Sequence, residues 1–258
     1  MTKPQIIGIL NVTPDSFFDG GNFFSLDAAL AHGHKLIAQG ADVIDVGGES
    51  TRPGAEYVSV AEECARVIDV VQELARHIRV SIDTTKPQVA RAALDAGAQI
   101  LNDVQGLQNP QMMELASDFK EVVIMHSRGT PQTMQALTKY HNIVEEVWDF
   151  FAQQIQYCKA PTIWLDPGIG FAKTAKQSCT LLKDLKRFHT LGHPLYVGAS
   201  RKSFIKHSLN LSADEDRLGG SLAALVVGFQ NGAQAFRVHD VKESKQLLDM
   251  LMVLKNTI

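Results

Sequence analysis

Residues 80–104 read VSIDTTKPQVARAALDAGAQILNDV, and they contain one complete copy of the pattern that decides the fold. An apolar run, VSI, ends at Asp83, and a segment with helical periodicity follows it. Pro87 suits the first turn of that helix, and Gly97 suits its end. A second apolar run, QIL, then ends at Asn102. Strand, helix and strand in this order predict a βαβ unit with two parallel strands.

The same alternation occurs eight times along the chain. The remaining, mostly apolar runs are IIGIL, VIDVG, VVIM, TIWL, PLYVG and AFRV, and each leads into polar or glycine-rich residues. Continuous Val, Ile and Leu runs are typical of parallel strands that are buried on both faces. Eight such units favour a closed (β/α)8 barrel, whose usual length is about 250 residues. The sequence therefore predicts an α/β protein with one TIM-barrel domain over residues 1–258 and an active site at the C-terminal ends of its strands.

Several helix ends can be predicted from the residues that flank the apolar periodicity. Ser25 suits the start of the first helix, and Gly40 suits the position after its end. Ser59 and Glu62 resemble a capping box at the start of the second helix. On that second helix we expect one apolar face, formed by Val60, Cys64, Val67 and Val71. After the seventh strand we expect one helix over EDRLGGSLAALVVGFQNG.

The composition excludes several classes of protein. The 258 residues are 45% hydrophobic and 21% charged, which is ordinary for a globular protein with a substantial core. The formal net charge is −3 and no basic face is visible, so a nucleic-acid partner is not expected. No apolar stretch approaches the roughly 20 residues of a membrane helix, and the first apolar run is too short for a signal peptide. Three widely spaced cysteines without a CxxC motif fit a reducing cytosol, so we expect a soluble, cytoplasmic protein.

One group of polar residues at the strand ends suits a flat heterocycle. It consists of Asp83, Asn102, Asp166 and Lys202, which follow the third, fourth, sixth and seventh strands. Inward-facing carboxylates and an amide offer hydrogen-bond acceptors and donors at fixed spacing. Any one of these residues alone could be a helix cap or a turn residue. All four together are better explained as a binding site inside the barrel mouth.

A second group suits a phosphate-containing anion. Arg237 and His239 follow the eighth strand, Arg201 follows the seventh and Asn11 follows the first. The loops after strands seven and eight of such barrels frequently hold a phosphate, and arginine presents a fork of donors to it. Arg201 and Lys202 could alternatively be an ordinary exposed pair.

If a metal ion binds, the sequence favours Mg²⁺ over zinc. No Cys/His cluster is present. Mg²⁺ needs only one or two protein oxygens in addition to substrate phosphates, and Asn11 could supply one. His126 ends an apolar run, and we interpret it as a structural histidine.

Two connections are rich in glycine, proline and aromatic residues. They are NVTPDSFFDGGNFFS after the first strand and GGESTRPGAEYVS after the second. Exposed aromatic side chains on such a loop are costly unless they cover something. The loops could be lids over the site or anchors against the barrel rim, and composition leaves both alternatives open.

The motifs themselves resemble those of the dihydropteroate synthases, in the pterin-binding family. The strings ILNVTPDSFFDGG, DVGGESTRPGA, SIDTTKP, LNDV, MHSRGTPQTMQ, LDPGIGFAK, VGASRKSFI and RVHDV extend from the first strand to the last. The resemblance implies a (β/α)8 barrel, a homodimer and Mg²⁺ as cofactor. It also implies condensation of 6-hydroxymethyl-7,8-dihydropterin pyrophosphate with 4-aminobenzoate, in folate biosynthesis, by an enzyme of the class that sulfonamides inhibit.

The resemblance also implies roles for individual residues. The pterin would contact Asp45, Asp83, Asn102, Met125, Asp166, Phe171 and Lys202. The aminobenzoate would contact Phe17, Thr51, Arg52, Pro53 and Ser203. The pyrophosphate would contact Asn11, Thr51, Arg52, Arg237 and His239, with Asn11 also at the metal. The residues expected to take part in catalysis are Asn11, Asp83, Lys202, Arg237 and His239.

Two other functions share part of this pattern. A methyltransferase that takes a methyl group from a reduced folate would keep the Asp/Asn pterin contacts. It would have less use for the RVHDV and STRPG motifs, which are present here. A catalytically silent pterin-binding protein would be favoured by loss of Asp83, Lys202 or Arg237, and all three are intact.

Overall fold

Eight parallel strands form a nearly closed barrel in the computed structural model, which describes residues 3–13, 18–19, 23–52, 54–212 and 215–256. The strands are β1 (Gln5–Asn11), β2 (Val43–Gly47), β3 (Arg79–Asp83), β4 (Ile100–Asp103), β5 (Glu121–Met125), β6 (Thr162–Asp166), β7 (Tyr196–Val197) and β8 (Ala235–Val238). Their hydrogen-bonded order is β6-β5-β4-β3-β2-β1-β8-β7. A parallel bridge between Leu165 and Leu195 brings β6 to β7. The predicted (β/α)8 fold is confirmed.

The helices alternate with these strands. They are α1 (Leu26–Ala38), α2 (Val60–Leu74), α3 (Pro87–Asp95), α4 (Pro110–Leu115), α5 (Ile143–Tyr157), α6 (Ala175–Lys183), α7 (Ser203–Leu209), α8 (Leu218–Gln230) and α9 (Val241–Asn256). Short 3-10 turns cover Ala116–Asp118, Met134–Ala136 and Leu185–Leu191. None of the helices in the described part of the chain has the length and hydropathy that a membrane-spanning helix requires.

The segment after β7 differs from the sequence prediction. Two helices follow this strand where one was expected, because Ser203–Leu209 forms α7 ahead of α8. Asn210 ends α7 in the left-handed conformation, with φ 53°, and its backbone N–H donates to the carbonyl of Lys206. A helix of two turns has too few residues to display a hydrophobic period. This is why sequence reasoning missed it.

The predicted helix ends are confirmed, except that the capping box at Ser59 is incomplete because the Glu62 side chain pairs with Arg66. The Ser25 hydroxyl accepts from the Ala28 N–H at 3.2 Å, and the Ser59 hydroxyl accepts from the Glu62 N–H at 3.2 Å. Gly40 and Gly97 follow their helices with φ values of 98° and 108°. Glycine adopts this left-handed backbone without the steric cost that a Cβ atom would add.

The predicted apolar face of α2 is only partly right. Val67 and Val71 are fully buried, whereas Val60 and Cys64 are half-buried. Glu63 and Arg66 are buried in their place. The helix is therefore rotated, so that a line containing two charged residues faces the barrel.

The barrel interior is filled by an apolar layer below the strand ends. It consists of Ile7, Val43, Ile100, Val123, Trp164, Tyr196 and Ala235. A larger core lies between the strands and the surrounding helices. Because successive side chains of a strand point to opposite faces, the next inward position on several strands lies at the C-terminal mouth. These positions carry the polar residues described next.

Candidate active site

Buried acidic and amide side chains converge at the C-terminal mouth of the barrel. Asp45 on β2 is fully buried, and Asp83, Asn102 and Asp166 at the ends of β3, β4 and β6 are each less than 10% exposed. Arg237 on β8 reaches the same space. Five strands that are far apart in sequence thus contribute polar atoms to one small volume.

Arg237 connects two of these carboxylates. Its Nε donates to Asp45 Oδ2 at 2.6 Å, and its Nη2 donates to Asp83 Oδ2 at 2.8 Å. The Asn102 amide nitrogen also donates to Asp45 Oδ2, at 3.1 Å. Among the described residues, Asp45 Oδ1 and Asp83 Oδ1 are buried without a hydrogen-bond partner. Buried polar atoms are nearly always satisfied, so these two oxygens are prepared acceptors for the donors of a ligand.

The electrostatics of this group are strongly perturbed. Burial raises the pKa of the Asp83 carboxyl to about 7, against the opposing effect of Arg237, and the Asp45 carboxylate raises it further. Burial alone would lower the pKa of the Arg237 guanidinium, but Asp45 and Asp83 raise it above its usual range. The guanidinium is therefore permanently charged, whereas Asp83 can titrate near neutral pH.

Asp166 and Lys202 form the opposite side of the mouth. Asp166 Oδ1 accepts from the Gly168 N–H at 2.8 Å, and burial raises the pKa of this carboxyl although Lys202 lowers it. Lys202 Nζ donates to the Ile169 carbonyl at 2.7 Å and lies 4.5 Å from the centroid of the Phe171 ring. Burial lowers the pKa of Lys202 to about 8, although Asp166 raises it. A cation, an anion and an aromatic wall thus adjoin each other.

The loop after β6 is held by a lysine that sequence reasoning missed. Lys173 is 4% exposed, and its Nζ donates to the carbonyls of Phe171 at 2.9 Å and His126 at 3.1 Å. His126 Nδ1 lies 2.9 Å from Lys173 Nζ, and the imidazole is neutral because burial and the nearby Lys173 lower its pKa to about 2. A Cβ atom on Gly168 would overlap with the His126 carbonyl oxygen. Nothing in the local sequence distinguishes Lys173 from a surface lysine.

The structural interpretation of His126 agrees with these contacts. The ring also lies edge-on to Phe150, with 5.0 Å between the centroids. Met125, which precedes it, is 3% exposed at the end of β5.

Two members of the second predicted group, Arg201 and His239, lie at the rim, whereas Arg237 lies inside the mouth with Asp45 and Asp83. His239 Nδ1 lies 3.1 Å from the Ser200 hydroxyl, which also accepts from the His239 N–H at 3.2 Å. Burial lowers the pKa of His239 to about 4, and Arg237 adds to this, so the imidazole is neutral at pH 7. Arg201 is exposed and donates twice to Asp240, at 2.8 and 2.5 Å. Arg201 is thus committed to an ion pair, as the surface alternative proposed.

The remaining predicted residues surround the mouth. Asn11, the last residue of β1, and Thr51 are half-buried, whereas Arg52 and Ser203 are exposed. Arg52 is near enough to His239 to depress its pKa. Phe17 and Pro53 lie outside the described residues. Within the described ranges, no group of three or more His, Cys, Asp and Glu side chains is arranged to hold a metal ion.

Comparison with known proteins identifies the family. The model of the pterin binding enzyme family matches residues 7–239. The dihydropteroate synthase of Escherichia coli strain K12 is 46% identical over 256 residues, which cover 96% of this chain and 90% of the relative. The solved structure of the Xanthomonas albilineans dihydropteroate synthase with 4-aminobenzoic acid is similar, with a TM-score of 0.90 and 40% identity, over 98% of this chain and 93% of that one.

A second structure of the Xanthomonas albilineans enzyme, in complex with 7,8-dihydropteroate, has a TM-score of 0.87 and 37% identity over 98% of this chain and 94% of that one. The sequence and structural similarities cover the same barrel and include every strand end described above. The chain belongs to the pterin-binding enzymes and, within them, to the dihydropteroate synthases.

Proposed function

We propose that this enzyme condenses 6-hydroxymethyl-7,8-dihydropterin pyrophosphate with 4-aminobenzoate to give 7,8-dihydropteroate and pyrophosphate, as a step of folate biosynthesis. The observation that carries this proposal is the buried group of Asp45, Asp83, Asn102 and Arg237, with two carboxylate oxygens left unsatisfied. The 2-amino-4-oxo edge of a pterin presents N–H donors and an acceptor in one plane. Such an edge can satisfy these oxygens without exposing them to water.

The pterin would lie between the two sides of the mouth. Asp83 and Asn102 would bind one edge of the ring, with Asp45 supporting Asn102 from β2. Asp166 and Lys202 would bind on the opposite side, and Met125 and Phe171 would form the apolar walls. A ring that left one of the buried polar groups unpaired would lose about 1–3 kcal/mol at that group. This penalty explains selection of a pterin over other flat rings.

The pyrophosphate would lie toward β1 and β8. Arg237, His239, Asn11, Thr51 and Arg52 are the residues proposed for it. The neutral His239 imidazole would donate a hydrogen bond to a phosphate oxygen through Nε2, since Ser200 is at Nδ1. Arg237 supplies a permanent positive charge, although two of its nitrogens already bind the carboxylates of the pterin group.

Mg²⁺ is compatible with this end of the site. The Asn11 amide oxygen is a hard ligand at a half-buried strand end, and Mg²⁺ accepts one or two protein ligands when phosphate oxygens and water complete its shell. When bound, the ion would neutralise charge on the pyrophosphate. We propose that substrate oxygens complete its coordination, since no group of three or more His, Cys, Asp and Glu side chains in the described ranges is arranged to hold a metal ion.

We propose a dissociative substitution. The bond between the pterin methylene carbon and the pyrophosphate oxygen breaks, and the electron pair leaves with pyrophosphate. The pterin ring stabilises the resulting cation, while Arg237 and His239 stabilise the leaving anion. The amine lone pair of 4-aminobenzoate then forms the C–N bond, and the nitrogen loses its proton to solvent or pyrophosphate. The aniline nitrogen is uncharged at neutral pH, so no strong general base is required.

The aminobenzoate would enter from the rim. Thr51, Arg52, Ser203, Phe17 and Pro53 are proposed to surround it. Closure of the loops after β1 and β2 would exclude water from the cation. In the first of these loops Phe18–Asp19 pairs with Phe23–Phe24, which supports a formed substructure but leaves the lid and anchor alternatives open.

We also propose that residues 1–258 form one domain and that the enzyme is a cytoplasmic homodimer. The family resemblance supports these proposals. Exposed apolar side chains on the neighbouring helices α8 and α9, namely Val227, Met250 and Leu254, supply a surface for the second subunit. Sedimentation of the wild type and of Met250→Lys would test the assembly, and a wild-type monomer would contradict it.

The reaction itself can be tested with purified enzyme. Pterin pyrophosphate, 4-aminobenzoate and Mg²⁺ should give dihydropteroate and pyrophosphate in equal amounts, and a sulfonamide should compete with 4-aminobenzoate. Tight pterin binding without turnover would overturn the proposal. Without aminobenzoate, the isotope label on the bridging oxygen of the substrate pyrophosphate should scramble if bond breaking comes first.

A further inference from the structure

A buried charge cluster lies behind the active site, outside the residues assigned to either substrate. We call Lys86, Glu49, Glu63 and Arg66 the Lys86 cluster. Lys86 Nζ donates to Glu49 Oε2 at 2.7 Å and to Glu63 Oε2 at 2.5 Å. Lys86 is 7% exposed and Glu63 is fully buried. Arg66 Nη1 donates to the Gly48 carbonyl at 2.7 Å.

The cluster connects three separate elements. Glu49 belongs to the loop between β2 and α2, Glu63 belongs to α2, and Lys86 is the N-cap residue of α3. Lys86 follows Asp83, the proposed pterin ligand, by only three residues. The charge on Lys86 therefore ties the second loop to the strand end that holds the pterin group.

Glu49 has a second task within its own loop. Its Oε1 accepts from the Val58 N–H at 2.8 Å, which joins the beginning of the loop to its end. The Glu49 carboxylate thus connects the two ends of the loop through Oε1 and binds Lys86 through Oε2. The enclosed residues include Thr51 and Arg52, which are proposed to contact the aminobenzoate and pyrophosphate.

The outer part of this loop is fastened to a different loop. The Gly54 N–H donates to the Pro131 carbonyl at 3.0 Å, and the Gln132 side-chain amide donates to the Ala55 carbonyl at 2.5 Å. The tip therefore rests on the loop after β5, while the Lys86 cluster holds the base. Loss of the Lys86–Glu49 contact would leave the loop held at its tip and, at its base, by the bond from Arg66 to the Gly48 carbonyl.

A contribution to folding stability does not explain why the charges of the Lys86 cluster are buried. Replacing a buried ion pair by apolar residues is often neutral or stabilising. Glu63 Oε1 is moreover buried with no hydrogen-bond partner in the described ranges, which is itself a cost. Burial by itself lowers the pKa of Lys86, but hydrogen bonds from it to Glu49 and Glu63 raise the pKa above its usual value, so the ammonium stays charged. The loop geometry that the cluster maintains is the better explanation.

We propose that the Lys86–Glu49 ion pair is a positioning device for the second substrate, setting the loop between β2 and α2 in the geometry that binds 4-aminobenzoate. This inference rests on the proposed function. Lys86 touches neither substrate and acts through Glu49. Its loss should therefore affect the aminobenzoate much more than the pterin, whose ligands lie on the strands themselves.

The test compares variants of both partners. Lys86→Met keeps the length of the side chain and removes its charge, and Glu49→Gln keeps an acceptor for Val58 while weakening the bond to Lys86. Misplacement of binding groups by about 1 Å can cost roughly 10²-fold, so KM for 4-aminobenzoate should rise at least tenfold in Lys86→Met. The Kd of 6-hydroxymethyl-7,8-dihydropterin, which lacks the pyrophosphate that Thr51 and Arg52 are proposed to contact, should change by less than about threefold, because the proposed ligands of the ring lie outside the loop. Lys86→Arg should restore most of the loss.

A control separates positioning from general destabilisation. Arg79 forms a similar partly buried ion pair with Glu121, at 2.6 Å, at the other end of the barrel. Arg79→Met should lower the melting temperature and leave both KM values unchanged. If Lys86→Met fails to fold, Glu49→Gln still tests the proposal, since the Lys86–Glu63 pair remains.

Two readouts distinguish the possible failures. Wild-type turnover of both substrates tests the proposed function by itself. Given that turnover, equal losses of affinity for 4-aminobenzoate and for 6-hydroxymethyl-7,8-dihydropterin, or no loss for either, would overturn the positioning role. Amide hydrogen exchange in residues 48–58 should be faster in Glu49→Gln, and unchanged exchange would also contradict it.

Discussion

The two ends of the barrel both contain buried charge, but they satisfy it differently. At the N-terminal end, Arg79 donates to Glu121 Oε1 at 2.6 Å and to the Gln5 side-chain oxygen at 2.8 Å. The Trp164 indole N–H donates to the second oxygen of Glu121 at 2.7 Å. Each carboxylate oxygen therefore has a partner.

At the C-terminal mouth, the hydrogen bonding of the buried carboxylates is incomplete. Asp45 and Asp83 each direct one oxygen to Arg237, while the other oxygen is buried without a partner among the described residues. The network at the N-terminal end is complete without a ligand, whereas a ligand with suitable donors could complete the one at the mouth. The comparison thus separates residues that hold the barrel together from residues that hold the pterin.

Among the changes that test this difference between the two ends, Asp83→Ala should have the largest effect. Asp83→Ala should lower the affinity for pterin pyrophosphate roughly 100-fold, since a hydrogen bond to a charged group is worth up to about 3 kcal/mol. The free energy of unfolding should fall by about 1–3 kcal/mol, because the buried Arg237 guanidinium loses one of its two carboxylate partners and keeps only Asp45. Isothermal titration and thermal unfolding would measure both quantities. Unaltered pterin affinity would refute the placement of Asp83.

A loss of stability without a loss of activity is expected at the other end. Arg79→Met should reduce the free energy of unfolding by about 1–2 kcal/mol, because Glu121 loses its charged partner in a site that water partly reaches. The specificity constant for both substrates should remain at the wild-type value. Denaturant unfolding and steady-state kinetics would test this, and a large loss of activity in a stable variant would contradict the division of the barrel into two ends.

A smaller effect is expected on the pH dependence of kcat/KM for pterin pyrophosphate. The pKa of Asp83 is raised to about 7 and that of Lys202 is lowered to about 8. Pterin binding requires the ionised Asp83, which is lost as the pH falls below about 7, and the charged Lys202, which is lost as the pH rises above about 8. The kcat/KM for pterin pyrophosphate should therefore be highest between these values and fall about tenfold per unit on either side. A profile that is flat from pH 5 to 9 would contradict the assignment.

Protonation of Asp83 should have the opposite effect on folding stability. It weakens pterin binding but stabilises the unliganded fold. The pKa of Asp83 in the folded protein lies above its ordinary value of 3.8, so this carboxyl contributes most stability below pH 3.8. The contribution is lost as the pH rises through about 7. Unliganded enzyme should therefore gain stability from Asp83→Asn at pH 8 and lose that gain near pH 4. Thermal unfolding of the two proteins at both pH values would measure the difference.

Much of the site could be predicted from strand periodicity. Asn102 and Asp103 are adjacent in sequence, yet Asn102 faces the barrel interior. Asp103 instead accepts from the Gln105 and Leu107 N–H groups and shapes the next turn. The period of two along a strand and the family motif together predict that Asn102, and not Asp103, faces the site. Neither requires knowledge of any distant contact.

Other features could not be predicted because they depend on contacts between distant elements. Glu63 and Arg66 have the sequence pattern of a solvated helix face, but the rotation of α2 buries them against Lys86 and Gly48. Lys173 likewise resembles a surface lysine until the loop after β6 folds onto His126. The hydrophobic pattern of a helix predicts which face is buried. It does not predict which charged side chains of other elements will pack against that helix.

The sequence by itself determined the alternation of strands and helices, the helix ends at Gly40 and Gly97, and the family to which the chain belongs. These properties depend on residues that are close together in the chain or on motifs of a few residues. Only the tertiary structure decided that Arg237 would join Asp45 and Asp83, which are 192 and 154 residues away, and leave one oxygen of each carboxylate unsatisfied. That outcome depends on how the barrel closes, since closure alone brings β8 within hydrogen-bond distance of side chains on β2 and β3.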